Sequence, residues 1–506
     1  MLDESSHSAE TTGFQPEPRI APTTPEESVV RVSDHFHLGR TQPELDFVDV
    51  DVHGDVPLYV DPRAIRLLPT QWGQECVSLV QNYFHSIIDA IKRGDRPSAL
   101  RLLAVLREPN ETHLGLSRGR ARGRGMGKHL AQEVYSALEK SRAVESGLLT
   151  DLEDTILLVD GIDRDIVSDI STNIIRAPLI VYTQEVCGRY GIPTEDVDSG
   201  PLWDPNTRAW QSSRYVALPQ VGGKRLLLVP KIIVRRKFDY DQEEYFQHYI
   251  LAHLQEFELD VKSELVQLLK NGGTRVTKKS VIEKYGRGKP LITRVTRDHP
   301  EVLAQYRSDR DGDPRRPLEH EDFTEEAETP PPNWDALVAA VLETAPGREA
   351  ADTYHRAVEA LLTALFYPAL CHPQVEYPIH DGRKRIDITY TNTAQDGFFA
   401  WLAKHYPSSN VMVECKNYCG DPGNPELDQL SGRFAPNRGR IGLLVCRTFE
   451  RRDLFVARCR DTAQDGRGFI LALDDTDLRT LVTARRTMDH DALFTFLKER
   501  FDQLVM

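Results

Sequence analysis

The sequence predicts a mixed α/β protein whose last third has the element order helix, three strands, helix, strand. Apolar residues recur at helical spacing in "EAADTYHRAVEALLTALFYP", where Tyr354, Val358, Leu361 and Leu365 share one stripe. Three strand-like runs follow: "PQVEYPIH", "KRIDITYT" and "NVMVECKN". A predicted helix, "NPELDQLSGRFA", then precedes an apolar strand, "RIGLLVCR", and further elements end the unit.

Composition divides the rest of the chain into three parts. Residues 1–40 are rich in Pro, Ser, Thr and Glu and poor in apolar residues, which predicts a disordered tail. Residues 41–297 mix strand-like and helical patterns, and we expect a mixed, mainly helical sensing or targeting region of unknown function. Residues 298–333 are charged and proline-rich, which predicts a linker. The α/β unit then occupies residues 334–506.

The bulk properties are those of a soluble protein of the cytoplasm with no membrane association. The chain is 40% hydrophobic and 28% charged, and no apolar run is long enough to span a bilayer. The polar start "MLDESSHSAETTG" does not have the pattern of a secretion signal. The seven cysteines form no C-x-x-C pair, which favours reduced thiols over disulfides or a structural zinc site.

The net charge of −14 is unevenly distributed. Residues 334–506 hold 21 Lys and Arg against 24 Asp and Glu, so the remaining −11 belongs to residues 1–333. The arginine guanidinium forms bidentate hydrogen bonds with phosphate. An arginine-rich stretch begins with Arg433, Arg438 and Arg440 and extends to residue 460. The acidic total therefore does not exclude a local DNA-binding face.

A second basic segment, "SRGRARGRGMGKHL", alternates arginine with glycine. It is not a phosphate-binding Walker loop, because Arg122 stands where the first glycine belongs and His129 replaces the Ser or Thr. A flexible basic loop before a helix is suited to phosphate or nucleic acid, with Arg120, Arg122, Arg124 and Lys128 as the contacts. A solvated loop without a ligand is the alternative.

The strand "NVMVECKN" carries charge where an apolar strand would not. Side chains alternate along a strand, so Glu414 and Lys416 share one face, while Val411, Val413 and Cys415 share the other. A charged pair on an apolar strand is costly unless the residues pair or bind a ligand. A plain salt bridge at the end of an edge strand is the simplest interpretation.

Asp387, in "KRIDITYT", supplies a second carboxylate. If its strand pairs with "NVMVECKN", Asp387 approaches Glu414 and Lys416, and two carboxylates with a lysine form a plausible Mg²⁺ site. Lys416 would then orient or deprotonate the attacking water. The alternative for Asp387 is an ion pair with Arg385 or Lys384 on a solvated face.

These residues resemble the PD-(D/E)XK nuclease superfamily, and within it the Mrr-like restriction endonucleases. The resemblance covers about residues 350–475 and depends on "RIDI", "VECKNY" and "LDQLSGRF…GRIGLLVC" in that order. The sequence departs from the family in lacking a proline before the aspartate and in an insertion between the motifs. The family positions, all implied by the resemblance, are Asp387, Glu414 and the Cys415 carbonyl as metal ligands, Lys416 as the catalytic lysine, Glu359 on the preceding helix and Gln429 on the following one.

The resemblance implies a restriction-endonuclease-like αβββαβ core and an Mg²⁺-dependent DNA endonuclease, with Mn²⁺ as a substitute metal. It further implies bacterial restriction or anti-phage defence, with other proteins of a defence operon as partners. A homo-oligomer is compatible with this interpretation. The alternative is a non-catalytic nucleic-acid or protein-binding factor on a degenerate nuclease fold. The presence of Asp387, Glu414 and Lys416 together favours the enzyme.

Overall fold

The chain folds around two large hydrophobic cores in a computed structural model. The first core takes residues from 32 to 327, together with Tyr367 and Cys371, and the second takes residues from 337 to 504. Within the part of the chain described here, no helix is both long enough and apolar enough to cross a membrane. The structure describes residues 29–115, 126–313, 315–379 and 383–506.

The region before residue 334 is mainly helical. A π-helical turn, Phe246–Ile250, lies between two of its helices. The helices are α1 (Val32–His35), α2 (Pro62–Arg66), α3 (Gln71–Lys92), α4 (Arg96–Leu103), α5 (Met126–Lys140), α6 (Arg142–Ser146), α7 (Asp154–Leu158), α8 (Arg164–Ile174), α9 (Arg176–Tyr190), α10 (Gln242–Tyr245), α11 (Leu251–Asp260), α12 (Lys278–Tyr285), α13 (Lys289–Asp298), α14 (Pro300–Gly312) and α15 (His320–Glu326).

The strands of this region are short and form two-stranded antiparallel pairs. The pairs are β1 with β8, β2 with β5, β3 with β4, β6 with β7 and β9 with β10. The strands are β1 (Tyr59–Val60), β2 (Glu195–Asp198), β3 (Leu202–Asp204), β4 (Ala209–Gln211), β5 (Tyr215–Leu218), β6 (Gln220–Val221), β7 (Lys224–Arg225), β8 (Val234–Arg235), β9 (Gln267–Leu268) and β10 (Thr274–Arg275).

Residues 334–506 form a five-stranded sheet with helices packed against it, in the predicted order of elements. The strand order is β11-β12-β13-β14-β15; the first two pairings are antiparallel and the last two are parallel. The strands are β11 (Leu370–Ile379), β12 (Lys384–Asn392), β13 (Asn410–Lys416), β14 (Ile441–Cys446) and β15 (Phe469–Leu473). The helices are α16 (Trp334–Leu342), α17 (Ala351–Phe366), α18 (Gly397–His405), α19 (Asn424–Ser431), α20 (Arg452–Gln464), α21 (Asp475–Arg486) and α22 (His490–Val505).

The centre of the sheet is covered on both faces, which explains its continuous apolar runs. Every residue of β14 is buried, as are the five residues 411–415 of β13. Both α17 and α19 pack against β13. The alternation of β13 places Cys415 toward α17 and Glu414 toward α19, so Glu414 is a carboxylate within an otherwise apolar layer.

The structure corrects the predicted disordered tail and linker. Residues 29–40 contain α1, and Val32 lies in the first core. Residues 298–333 contain α14 and α15, and Phe323 of α15 is fully buried in the same core. The apolar residues of this segment are few, but they recur at helical spacing, a pattern that composition alone does not reveal. Residues 1–28 of the predicted tail lie outside the described residues.

Buried polar contacts join the two regions. The carboxylate of Asp46 accepts the backbone N–H of His372 at 2.7 Å. The imidazole of His320 lies 2.8 Å from the carbonyl of Ala364. Lys231, fully buried, places its ammonium 4.1 Å from the centre of the Tyr367 ring. Such groups are costly to bury unpaired, so each region supplies partners for buried polar groups of the other.

Candidate active site

The site forms where β12 and β13 separate. The two strands pair from Thr391 opposite Asn410 to Ile388 opposite Val413, and β12 then continues only with β11. The separation frees the backbone N–H of Cys415, which donates to Oδ2 of Asp387 at 2.9 Å. Asp387 is thereby held at the opening between the strands.

Glu414 lies fully buried beside this opening. Its Oε1 accepts hydrogen bonds from the Lys416 ammonium, at 2.7 Å, and from the side-chain amide of Gln429. Its Oε2 is also buried and has no hydrogen-bond partner in the described part of the chain. A buried, unsatisfied carboxylate oxygen is costly, and a bound cation would satisfy it.

The charges around Glu414 favour an additional cation. Burial raises the pKa of the Glu414 carboxyl above 4.5, and the negative charge of Asp387 raises it further. Lys416 and, more weakly, Arg433 act in the opposite direction without restoring the ordinary pKa. Two adjacent carboxylates that repel each other are the donor set that a hard divalent cation prefers, so the residues fit Mg²⁺ or Mn²⁺.

The position of Gln429 depends on close packing between α19 and β14. A Cβ on Gly442 would lie 2.9 Å from Leu430 and 2.9 Å from Phe434, so only glycine allows the helix this close to the strand. At the start of α19, the Glu426 carboxylate accepts the Gly423 N–H at 2.8 Å and caps the helix. The sequence-predicted role of Gln429 beside Glu414 therefore has a local structural basis.

On α17 the structure brings His355, rather than Glu359, to Asp387. Glu359 is buried as expected, but its Oε2 lies 2.5 Å from Nη2 of Arg40, and Thr363 donates to Oε1 at 3.3 Å. The imidazole of His355, one turn earlier, lies 3.9 Å from Oδ2 of Asp387. Glu359 is thus the partner of Arg40, which belongs to the predicted disordered tail, and its role at the site stays a prediction. The spacing of four between His355 and Glu359 was the available signal for His355.

Potential ligand atoms of His355, Asp387 and Cys415 all lie within 4.8 Å of one another. The thiol of Cys415 is buried, and burial together with Asp387 raises its pKa well above the ordinary value. Burial and Asp387 thus disfavour the thiolate that a metal would require from this residue. Carboxylate oxygens remain the main donors here, and the Cys415 carbonyl as third ligand stays a prediction.

The rim of the opening carries exposed basic side chains. Asn417, directly after β13, donates to the carbonyls of Ala345 and Gly347 at 3.0 and 3.1 Å. This contact holds the segment before α17 beside the end of β13. Arg348 follows that segment directly, Arg356 lies on α17, and both are exposed.

The predicted DNA-binding arginines are placed differently from expectation. Arg433 is buried and acts on Glu414 instead of facing solvent. Arg438 and Arg440 are half-buried and precede β14, whereas the site lies at the opposite end of the parallel pair, where Lys416 aligns with Cys446. Arg438 and Arg440 donate to the backbone carbonyls of Arg433 and Gly466, contacts that composition does not reveal. Arg120, Arg122 and Arg124 lie outside the described residues, as does the side chain of Lys128.

Comparison with known proteins adds one match. A family model described as a domain of unknown function (DUF8370) matches residues 37–241. Neither a curated protein nor a solved structure matches the chain. The match includes Arg40 but ends before the residues of the candidate site.

Proposed function

We propose that the protein is a Mg²⁺-dependent DNA endonuclease that hydrolyses phosphodiester bonds. The observation that carries the proposal is the Oε2 of Glu414, which is buried and has no partner among the described residues. Asp387 lies beside this carboxylate, and Lys416 and Gln429 hold its other oxygen, Oε1. Other ion-paired carboxylates, such as Glu258 and Asp475, also have one buried oxygen without a partner. Glu414 differs in lying beside Asp387, where β12 and β13 separate. The resemblance to Mrr-like nucleases in these same residues supports DNA as the substrate and restriction or anti-phage defence as the setting.

Asp387 and Glu414 would hold the cation. When bound, it would neutralise negative charge on the scissile phosphate. Asp387 is held for this role by the N–H of Cys415. Glu414 is held by Lys416 and Gln429, which occupy Oε1, while no described residue binds Oε2. The chain therefore fixes both carboxylates before any ligand arrives, which reduces the reorganisation needed for catalysis.

Lys416 would act on the attacking water. Its side chain is 17% exposed, and its ammonium lies 2.7 Å from Glu414. A lysine in this position can orient water toward a phosphorus atom and stabilise the negative charge that develops. Gln429 and Arg433 are positioning residues, because both act on Glu414 rather than on substrate.

Exposed arginines at the rim would position the DNA backbone. Arg348 and Arg356 border the start of α17, and Arg385 lies on β12 two residues before Asp387. Arg385 pairs with Glu376 at 2.8 Å on an exposed surface, an interaction that a phosphate can replace at little cost. These residues replace Arg438 and Arg440 as the expected phosphate contacts near the site.

The test is cleavage of a supercoiled plasmid by the full-length protein in Mg²⁺, in Mn²⁺ and in EDTA. We expect nicking or linearisation in Mg²⁺ and Mn²⁺, none in EDTA, and at least a hundredfold loss in Lys416→Ala. Lys404→Ala is the matched control, because Lys404 is an exposed lysine on α18. Cleavage by Lys416→Ala at the wild-type rate would refute the mechanism. DNA binding without cleavage in either metal would instead support the non-catalytic factor.

A further inference from the structure

Three metal-binding side chains meet in the mainly helical region, far along the chain from the candidate active site. They are His253 on α11, His299 at the junction of α13 and α14, and Glu301 in the first turn of α14. One ligand atom of each lies within 4.8 Å of the other two. The two imidazole rings have centroids 4.3 Å apart, and Nδ1 of His299 is 3.1 Å from the Glu301 carboxylate.

The local backbone explains how these residues meet. The π-helical turn Phe246–Ile250 inserts one extra residue before α11, which rotates the following side chains by about 100° around the helix axis. His299 ends α13 and begins α14, with Pro300 as the first residue of the new helix. The cluster therefore bridges α11 and the bend between two successive helices.

A simple hydrogen bond accounts for only part of the cluster. His299 and Glu301 satisfy each other at the start of α14. The pair leaves the Nε2 of His253 buried and without a hydrogen-bond partner among the residues that the structure describes. An imidazole nitrogen buried without a partner, next to a second imidazole and a carboxylate, indicates a missing ligand.

We propose that His253, His299 and Glu301 bind a divalent transition metal, with Zn²⁺ as the best match. Two histidines and one carboxylate are a known Zn²⁺ ligand set, whereas Mg²⁺ prefers oxygen ligands alone. In a tetrahedral site with bonds of 2.0–2.1 Å, ligand atoms lie about 3.4 Å apart. Side-chain rotations that bring the present atoms closer by at most about 1.4 Å therefore complete the geometry. The fourth position belongs to water, since His299 and Glu301 are 38% and 66% exposed.

The bound metal would fix α11 to the bend between α13 and α14. This role is structural and does not depend on the nuclease proposal. It gives residues 298–301, which the composition assigned to a linker, a defined part in holding the mainly helical region together. A metal that binds the folded chain and not the unfolded chain raises the melting temperature.

The test is titration of metal-free full-length protein with Zn²⁺ against a competing chromogenic chelator. All proteins in the series carry Asp387→Asn and His355→Asn, so that the candidate active site does not contribute. We expect one Zn²⁺ equivalent that is bound at least tenfold more weakly in His253→Ala, His299→Ala and Glu301→Gln. His248→Ala is the control, because His248 is exposed in the π-helical turn just before α11. Zn²⁺ should also raise the melting temperature of the parent and control but not of the three variants.

Equal Zn²⁺ binding by the parent and all three variants would overturn the proposal, as would an equal loss in His248→Ala. If His253→Ala does not fold, Glu301→Gln decides the question, because Glu301 is exposed and its loss does not open the core. Mn²⁺ and Mg²⁺ titrations complete the series. Tighter binding of Mg²⁺ than of Zn²⁺ would contradict the assignment to a transition metal.

Discussion

Arg40 and Glu359 form an ion pair of 2.5 Å that joins the two regions of the chain. Their side chains are 13% and 2% exposed, and the Arg40 guanidinium also lies 5.1 Å from the centre of the Tyr190 ring. Arg40 belongs to the segment matched by the family model, whereas Glu359 is on α17, the helix that brings His355 to Asp387. The position of α17 is therefore set in part from the other region.

We predict that Arg40→Ala lowers the free energy of unfolding by about 3 kcal/mol, because it leaves the buried Glu359 carboxylate without its cation. The measurement is urea unfolding of the full-length protein at pH 7. Arg236→Ala is the control: Arg236 pairs with Glu326 on an exposed surface, and its loss should cost less than about 1 kcal/mol. A similar, small loss in both variants would show that the Arg40 pair contributes no specific stability.

The sheet could be predicted from the sequence because its signals are local. β13 and β14 are apolar runs of strand length, and Asp387, Glu414 and Lys416 gain their positions from alternation along single strands. Gln429 follows from one turn of an amphipathic helix. Once the strand order is known, the periodicity of each strand and helix is enough to place these residues.

The errors have the opposite origin. Partners that are distant in sequence fix the positions of Arg40, Arg433 and Glu359. Neither composition nor residue spacing identifies those partners. The predicted linker failed for the same reason, since α14 and α15 become stable only by packing Tyr306 and Phe323 into a core built elsewhere.

A second prediction concerns the separation of the two regions. Because Tyr367 and Cys371 belong to the first core, a fragment of residues 334–506 would expose them to water. We expect the fragment to melt at a lower temperature than the intact chain and to aggregate more readily, as measured by circular dichroism and light scattering. An isolated fragment with the same melting temperature as the intact protein would show that the contacts between the regions do not stabilise residues 334–506.

A third prediction concerns pH. Burial, followed by the nearby Asp165, Glu108, Asp163 and Asp55, raises the pKa of Asp169 to about 8. Its pKa in the unfolded chain is about 3.9, so between the two values the folded protein binds more protons and its stability falls as pH rises. Asp169→Asn should therefore raise the melting temperature at pH 8.5 and change it little at pH 4. An equal effect at both pH values would exclude this electrostatic origin.

A fourth prediction separates function from stability at the site. Asp387→Asn keeps an oxygen that can accept the Cys415 N–H and removes a charge that repels Glu414. In EDTA we expect a melting temperature equal to that of the wild type or on the order of 2 °C higher, with Mg²⁺-dependent cleavage lost. Asp428→Asn is the control, since Asp428 is exposed on α19 and pairs with Arg467. A clear loss of stability in Asp387→Asn would mean that Asp387 serves the fold.

The last prediction distinguishes the two candidates on α17. Glu359→Gln should lower stability through the loss of the Arg40 pair but retain cleavage within about threefold per folded molecule, because its carboxylate is engaged away from Asp387. His355→Asn should keep stability and raise the Mg²⁺ concentration needed for half-maximal cleavage by about tenfold, because the imidazole lies 3.9 Å from the Asp387 carboxylate and outer-shell groups tune metal binding. Cleavage measured across an Mg²⁺ series, with the folded fraction determined by circular dichroism, separates the two effects. Loss of cleavage in folded Glu359→Gln would restore Glu359 to the site, and an unchanged Mg²⁺ dependence in His355→Asn would remove His355 from it.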